Sequence, residues 1–212
     1  MRRVRDHLVV GIAGGSGSGK TTFCNRLTES VGADAVVTLH HDCYYHDLRH
    51  LSQEERYANN YDAPEALQTD LLVEHVHQLI SGDSVVMPQY DYSTNSRIPG
   101  GFPLDPRPII IIEGVLVLAD ETIRDICDLR IFVDTSDELR LERRCRRDSQ
   151  ERGRDVETIR RQWAETVLPM HQRYVEPSKR CAHLVVPAEA PNETAVRIVG
   201  GYLLAQLNVN RA

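Results

Sequence analysis

Nine consecutive residues carry the chain's most specific chemistry: Gly14, Gly15, Ser16, Gly17, Ser18, Gly19, Lys20, Thr21 and Thr22. They satisfy the spacing GxxxxGK[ST], which acts as a phosphate cradle when a strand precedes it and a helix follows. The glycines open backbone angles closed to other residues and leave no Cβ between the amides and a ligand. Successive N–H groups, backed by the positive end of the next helix, then face an anion. Lys20 is placed to reach terminal phosphates, and the Thr21 hydroxyl to ligate Mg²⁺. Composition agrees, because the 25 basic residues include only two lysines, Lys20 and Lys179. A chain that writes its cations as Arg keeps Lys where a compact point charge is needed. The pattern implies that a nucleoside triphosphate binds here.

Two carboxylates and a run of arginines extend this chemistry. Asp42 follows Ala35–His40, a β-branched run that reads as a strand. In parallel sheets bounded by helices, ligands sit beyond the carboxyl ends of strands, which places Asp42 for chemistry. Glu113 ends Ile109-Ile110-Ile111-Ile112, apolar on both faces as a central parallel strand must be, and is the expected second anchor for Mg²⁺. Arg140, Arg143, Arg144 and Arg147 fall within about a third of a helix circumference at 100° per residue, beside an apolar edge of Leu141 and Cys145. Glu142, Asp148 and Glu151 interrupt this stripe, and the net charge of −6 argues against a nucleic-acid or membrane surface. An arginine lid over bound phosphates fits better. His40 and His41 have no third metal-ligating partner at useful spacing and are expected to be structural or to line a pocket.

The elements that hold these residues follow from periodicity. Leu8–Ile12 is the strand before the glycine loop, and a helix begins after it. Ser52–Tyr57 is a short helical piece, and residues 65 to 80 an amphipathic helix stopped by Ser81-Gly82-Asp83. Residues 83 to 107, with Tyr90, Asp91 and Tyr92, read as an irregular excursion or hairpin outside the main sheet, and functional by their length. Glu121–Cys127 is a helix, Leu129–Asp134 a strand, and a charged helix begins at Ser136. Val156, Ile159, Trp163, Val167 and Met170 mark the next helix, capped by Asp155 and kinked or ended at Pro169. Ala182–Pro187 is the last strand, and a final helix covers about 193 to 207. At 212 residues the chain suits one domain, 1–212, with an inserted lid at about 147–155. The five cysteines lack CxxC spacing and read as reduced thiols in a cytoplasmic protein. The basic start Met1-Arg2-Arg3-Val4-Arg5 does not read as a secretory signal, and no apolar segment approaches a membrane span.

Taken together, GGSGSGKTT, HHDCYY, NYDAPEAL, PQYDYSTNSR, IIEGVLVL and RRCRRDSQERGRD resemble the uridine/cytidine kinase family in order and spacing over about residues 8 to 205. The resemblance implies an α/β, P-loop NTPase three-layer fold: a five-stranded parallel sheet flanked by helices, with a nucleoside-binding hairpin and an Arg-rich lid. It implies transfer of the γ-phosphate of ATP or GTP, with Mg²⁺, to the 5′-hydroxyl of uridine or cytidine, in a cytoplasmic homotetramer. Asp42 then corresponds to the general base, and Thr21 and Glu113 to the metal site. Asp62 matches the carboxylate on the ribose hydroxyls, with Arg144 nearby. Tyr90, Arg154 and Gln162 match base-pocket residues, Tyr61 and Tyr92 its aromatic walls, and Arg147 and Arg152 the phosphate-facing lid. Three positions depart from the pattern: His41 replaces the usual Gln, Ala63 a frequent His, and Asn95 a base-reading His. A related kinase acting on another riboside, phosphoribulose or pantothenate therefore stays open at this point. So do the phosphate donor, uridine against cytidine, and feedback regulation.

Overall fold

The computed structural model describes residues 7 to 211; the basic start read above lies outside the described residues. Five parallel strands form the main sheet: β1 (Leu8–Ala13), β2 (Val36–His40), β5 (Ile109–Gly114), β6 (Leu129–Asp134) and β7 (Leu184–Pro187). Their spatial order is β2-β5-β1-β6-β7, so β1 occupies the middle. The isoleucine strand β5, expected at the centre, lies between β2 and β1 instead. It is buried on both faces all the same, since helices cover each side.

The two-residue period of a strand sends alternate side chains to opposite layers. Val9, Val37, Leu39, Ile110, Ile112 and Phe132 belong to one buried cluster, with Leu72, Val76 and Leu79 of α3 (Thr69–Ser81). Leu8, Val10, Ile12, Ile109, Ile111 and Ile131 belong to the other, under α1 (Lys20–Val31) and α9 (Glu193–Arg211). Each fully buried aliphatic side chain stabilises the fold by about 1.5–3 kcal/mol. That burial supplies the rigidity the strand ends need.

Smaller elements follow local chemistry. The helix α2 (Gln53–Ala58) starts at a capping box in which Ser52 and Glu55 satisfy each other's backbone. The helix expected from residue 65 begins at Thr69; Pro64–Ala66 is a 3₁₀ turn, and Leu67 bridges to Tyr45 instead. The segment 83–107 resolves into an antiparallel hairpin, β3 (Val85–Asp91) and β4 (Ser96–Leu104), irregular only between Met87 and Gln89. Pro88, which has no N–H for the ladder, sits at that irregularity. The short helix α4 (Glu121–Ile126) is capped by Asp120.

The helix α5 (Asp137–Arg152) buries a charged stripe. Arg140, Arg144 and Asp148, spaced four apart, are buried, whereas Leu141 and Cys145 are only half-buried. The helical chain after it also departs from the sequence reading. Asp155 caps α6 (Val156–Gln162) as expected, but Val156 is exposed. Pro169 does not end the helix: π turns at Trp163–Val167 and His171–Val175 flank α7 (Leu168–Met170), and helical backbone continues through α8 (Glu176–Ser178). Wider turns absorb a residue that cannot donate the usual bond.

Candidate active site

The sheet order decides where the chemical residues meet. Register sets Ile12 of β1 beside Glu113 of β5, and Glu113 beside His40 of β2. The glycine loop leaves β1 where its neighbours connect in opposite directions, the switch point at which such sheets bind ligands. Gly17 turns the loop with φ +80, and a Cβ there would run into the Arg140 carbonyl oxygen. Gly14, Gly15 and Ser18 pack against the protein, Gly15 facing the Arg140 guanidinium and His171. Gly17, Gly19, Lys20, Thr21 and Thr22 line a cavity of about 730 Å³. Ser16 turns the other way, its Oγ accepting from Arg144 Nη1 at 2.9 Å.

Glu113 is the electrostatic centre of this cavity. Its Oε1 accepts from Thr21 Oγ1 at 3.2 Å and lies 3.7 Å from Lys20 Nζ. Its Oε2 accepts from His40 Nδ1 at 2.9 Å. Burial alone would raise this carboxyl; Lys20 and the bonds from His40 and Thr21 outweigh it and hold the group below its ordinary value. The Glu113 bond correspondingly raises His40. His41 is structural: it is buried, shares a 3.2 Å hydrogen bond with Thr69, and is pushed down to about 4 by burial. Among the described residues, no three His, Cys, Asp or Glu side chains form a metal cluster. One hydroxyl beside one ionised carboxylate is a set of hard oxygen donors. That suits a Mg²⁺ ion that keeps its waters and shares substrate phosphates.

A second, smaller cavity of about 70 Å³ adjoins the first and gathers side chains from distant parts of the chain. Asp62, Tyr61, Tyr90, Tyr92, Asn95, Arg144, Arg154 and Gln162 all line it, with Ser16 and Tyr45. Tyr90 of β3 and Tyr92 in the turn after it pack ring to ring, 5.3 Å apart. The Asp91 between them holds the hairpin turn instead, accepting from Ser93 N and Oγ and from Thr94 Oγ1. Tyr45 meets Tyr61 edge-on at 5.2 Å and Tyr90 at a tilt at 5.1 Å. Sequence reasoning missed Tyr45 as a wall, although it lies three residues after Asp42 in HHDCYY. Asp62 is shifted up by burial, opposed by Arg144. Gln162 Oε1 accepts from Arg144 Nη2 at 2.9 Å and Arg154 Nη1 at 3.5 Å. Arg154 ties α5 to the hairpin through Tyr92 O at 2.8 Å and Asn95 Oδ1 at 3.4 Å. Asn95 itself is buried, with φ 50.

The two cavities share five walls: Lys20, Asp42, Tyr92, Arg147 and Arg152. Arg152 lies 4.5 Å over the Tyr92 ring. The lid arginines share an anionic partner within the protein. It is Asp148, fully buried, which lies 2.8 Å from Arg147, 3.5 Å from Arg152, 3.6 Å from Arg144 and 4.0 Å from Arg154. In the sequence Asp148 counted only as an interruption of the basic stripe. Arg143, read in the sequence as part of the lid stripe, joins the glycine loop to the loop after β7, donating to Ser18 O, Ala188 O and Glu189 O. Lys179 serves neither cavity and pairs with Asp134 at 2.6 Å.

A glycine loop at the switch point of a parallel sheet, with Lys, Thr and Glu converging beyond it, defines the P-loop kinase class. The profile of the Phosphoribulokinase / Uridine kinase family matches residues 9–195. A uridine kinase of Chloroflexus aurantiacus is 44% identical over 200 residues, 94% of this chain and 96% of that one. A uridine kinase of Streptococcus uberis is 41% identical over 195 residues, 92% of this chain and 93% of its own. The phosphoribulokinase of Rhodobacter spheroides shares the fold at a TM-score of 0.59 and 16% identity, over 84% of this chain and 68% of that one. This chain belongs to the phosphoribulokinase/uridine kinase family.

Proposed function

We propose that the protein is a uridine kinase, transferring the γ-phosphate of ATP or GTP to the 5′-hydroxyl of uridine or cytidine. The observation that carries this reading is the meeting of the two cavities at Asp42, Lys20, Arg147 and Arg152. A donor phosphate lying along the glycine loop and a hydroxyl from the smaller cavity would converge on those four side chains. The uridine kinases to which the chain is similar support the same substrate.

In this reading Asp42 accepts the 5′-hydroxyl proton as the oxygen attacks the γ-phosphorus and the bond to the β-phosphate oxygen breaks. Lys20, Arg147 and Arg152 neutralise charge on the equatorial oxygens, where most of the stabilisation in phosphoryl transfer arises. Thr21 and Glu113 would hold Mg²⁺, which would supply positive charge to the donor phosphates. Asp62 accepts from the ribose 2′- and 3′-hydroxyls, with Arg144 nearby. The amide of Gln162, whose oxygen is taken by arginines, presents its N–H₂ to the base beside Asn95, Tyr90 and Arg154. Tyr61 and Tyr92 enclose the rings and exclude water. The smaller cavity is too narrow for a nucleoside as it stands, so the hairpin (83–107) and the lid (147–155) move apart to admit one. The whole chain, 1–212, then acts as a single kinase domain, cytoplasmic and tetrameric like the family it resembles.

The test is ADP release with ATP and Mg²⁺ against uridine, cytidine, adenosine, nicotinamide riboside, pantothenate and ribulose 5-phosphate. Turnover confined to uridine and cytidine is expected. Preference for any of the others would overturn the assignment.

A further inference from the structure

The lid is built around a negative charge of its own. The Asp148 carboxylate is fully buried, and four guanidiniums surround it within 4.0 Å. Arg147 is its immediate neighbour on α5. Adjacent helix positions point about 100° apart, so Arg147 must fold back to donate from Nε to Asp148 Oδ1 at 2.8 Å. The opposite oxygen, Oδ2, is buried without a hydrogen bond, as is Arg144 Nε. One carboxylate against four guanidiniums leaves the ring short of negative charge. Burial would raise Asp148, but Arg147, Arg152 and Arg144 outweigh it and hold the group ionised. Burial, and Arg147 next, lower Arg152 from its ordinary value.

Arg147 and Arg152 are also the two lid residues that face both cavities. An arriving phosphoryl group therefore competes with Asp148 for the same donors. We propose that Asp148 is a positioning residue that stands in for the phosphoryl group. It holds the arginines in place while the site is empty, and yields Arg147 and Arg152 to phosphate oxygens when nucleotide binds. The inference rests on the reading that those arginines meet phosphates. It adds a consequence: the internal carboxylate weakens phosphate binding and so hastens product release. A ligand and an internal group that exclude each other are coupled reciprocally.

Asp148→Asn keeps the shape and removes the competing charge. Isothermal titration with inorganic phosphate reads the effect directly, because the glycine loop contributes equally to both proteins. We expect phosphate to bind the variant at least about fivefold more tightly than the wild type, the lower end of ordinary coupling. Adding Arg147→Gln to the variant should remove most of that gain. In turnover, KM for the triphosphate and kcat should fall together, since products leave more slowly. A purely structural loss would raise KM instead. Unchanged or weaker phosphate binding by Asp148→Asn would overturn the proposal. Should the variant not fold, a wild-type structure with a non-hydrolysable ATP analogue and nucleoside decides: Arg147 Nε is expected beyond hydrogen-bonding distance of Asp148. Retention of that bond would overturn it equally. The titration needs no nucleoside, so a wild type inactive on uridine but behaving this way with phosphate would remove the substrate assignment and leave the role of Asp148 standing.

Discussion

The two cavities are built on opposite plans. The larger, about 730 Å³, takes Gly17, Gly19, Lys20, Thr21 and Thr22 from one contiguous loop and sets the arginines of α5 and residues 186–196 around them. The smaller, about 70 Å³, is assembled from side chains contributed by the glycine loop, the turn after β2, residues 61–62, the hairpin, α5 and α6. A backbone cradle tolerates any partner bearing phosphates. A side-chain box held by Arg144, Arg154 and Gln162 has a defined shape and is the part expected to choose a substrate. Substitutions should therefore separate by side: those at the shared wall strike chemistry, and those deep in the smaller cavity strike choice of substrate.

Asp42→Asn probes the shared wall and should have the largest effect. Positioned acid–base groups contribute about 10²–10⁴-fold, and kcat should fall within that range while uridine affinity, read by titration, is kept. More than about a tenth of wild-type turnover would take the base role from Asp42. Asp62→Ala belongs wholly to the smaller cavity. Charged hydrogen bonds contribute roughly 1.5–3 kcal/mol each, so KM for uridine should rise at least about tenfold and discrimination against 2′-deoxyuridine should vanish. Equal use of the two nucleosides by the wild type would remove Asp62 from the ribose. At Asn95, a carboxamide both donates and accepts and so meets either pyrimidine. Asn95→Asp only accepts, so kcat/KM for uridine should drop about 5- to 100-fold relative to cytidine, the cost of a repelled buried polar group. Equal losses for both would show that Asn95 does not read the base edge.

The smallest effect lies behind the wall, at His41. Its imidazole titrates near 6.5 when unfolded but near 4 when folded, because burial disfavours the charged form. Between those values the unfolded chain binds more protons, so stability falls as pH falls from about 6.5 to about 4. At pH 5 the loss is about 2 kcal/mol. His41→Gln, which can keep a hydrogen bond to Thr69, should lessen that acid sensitivity in urea unfolding at pH 7.5 and pH 5. An identical pH dependence in both proteins would count against the buried neutral imidazole.

What the sequence disclosed follows the same division. The glycine loop and its flanking strand and helix were legible because their physics is local: consecutive residues meet one anion. Asp42 and Glu113 were legible because each ends a strand whose apolar run marks it. The smaller cavity was not, since nothing in the spacing of Asp62, Tyr90, Asn95 and Gln162 says that three distant segments converge. Only the family resemblance brought them together. Asp148 was hidden more deeply, because a carboxylate among arginines on a helix ordinarily faces water, and here the packing turns it inward. Pro169 was read as a kink or an end, and the helical backbone runs on through it between two π turns that bury Trp163 and Val175, a continuation local propensity does not register.

The central claim is that the two cavities form one reaction path meeting at Asp42. A dinucleoside tetraphosphate joining adenosine and uridine tests it most directly, because it must occupy both at once. Linking two ligands that fit together raises affinity by about 10²–10⁴ without new contacts. Titration should therefore show the linked compound binding at least about a hundredfold more tightly than ADP, with the gain lost when uridine is replaced by adenosine. Binding no tighter than ADP would mean that the cavities do not join, and would contradict the account.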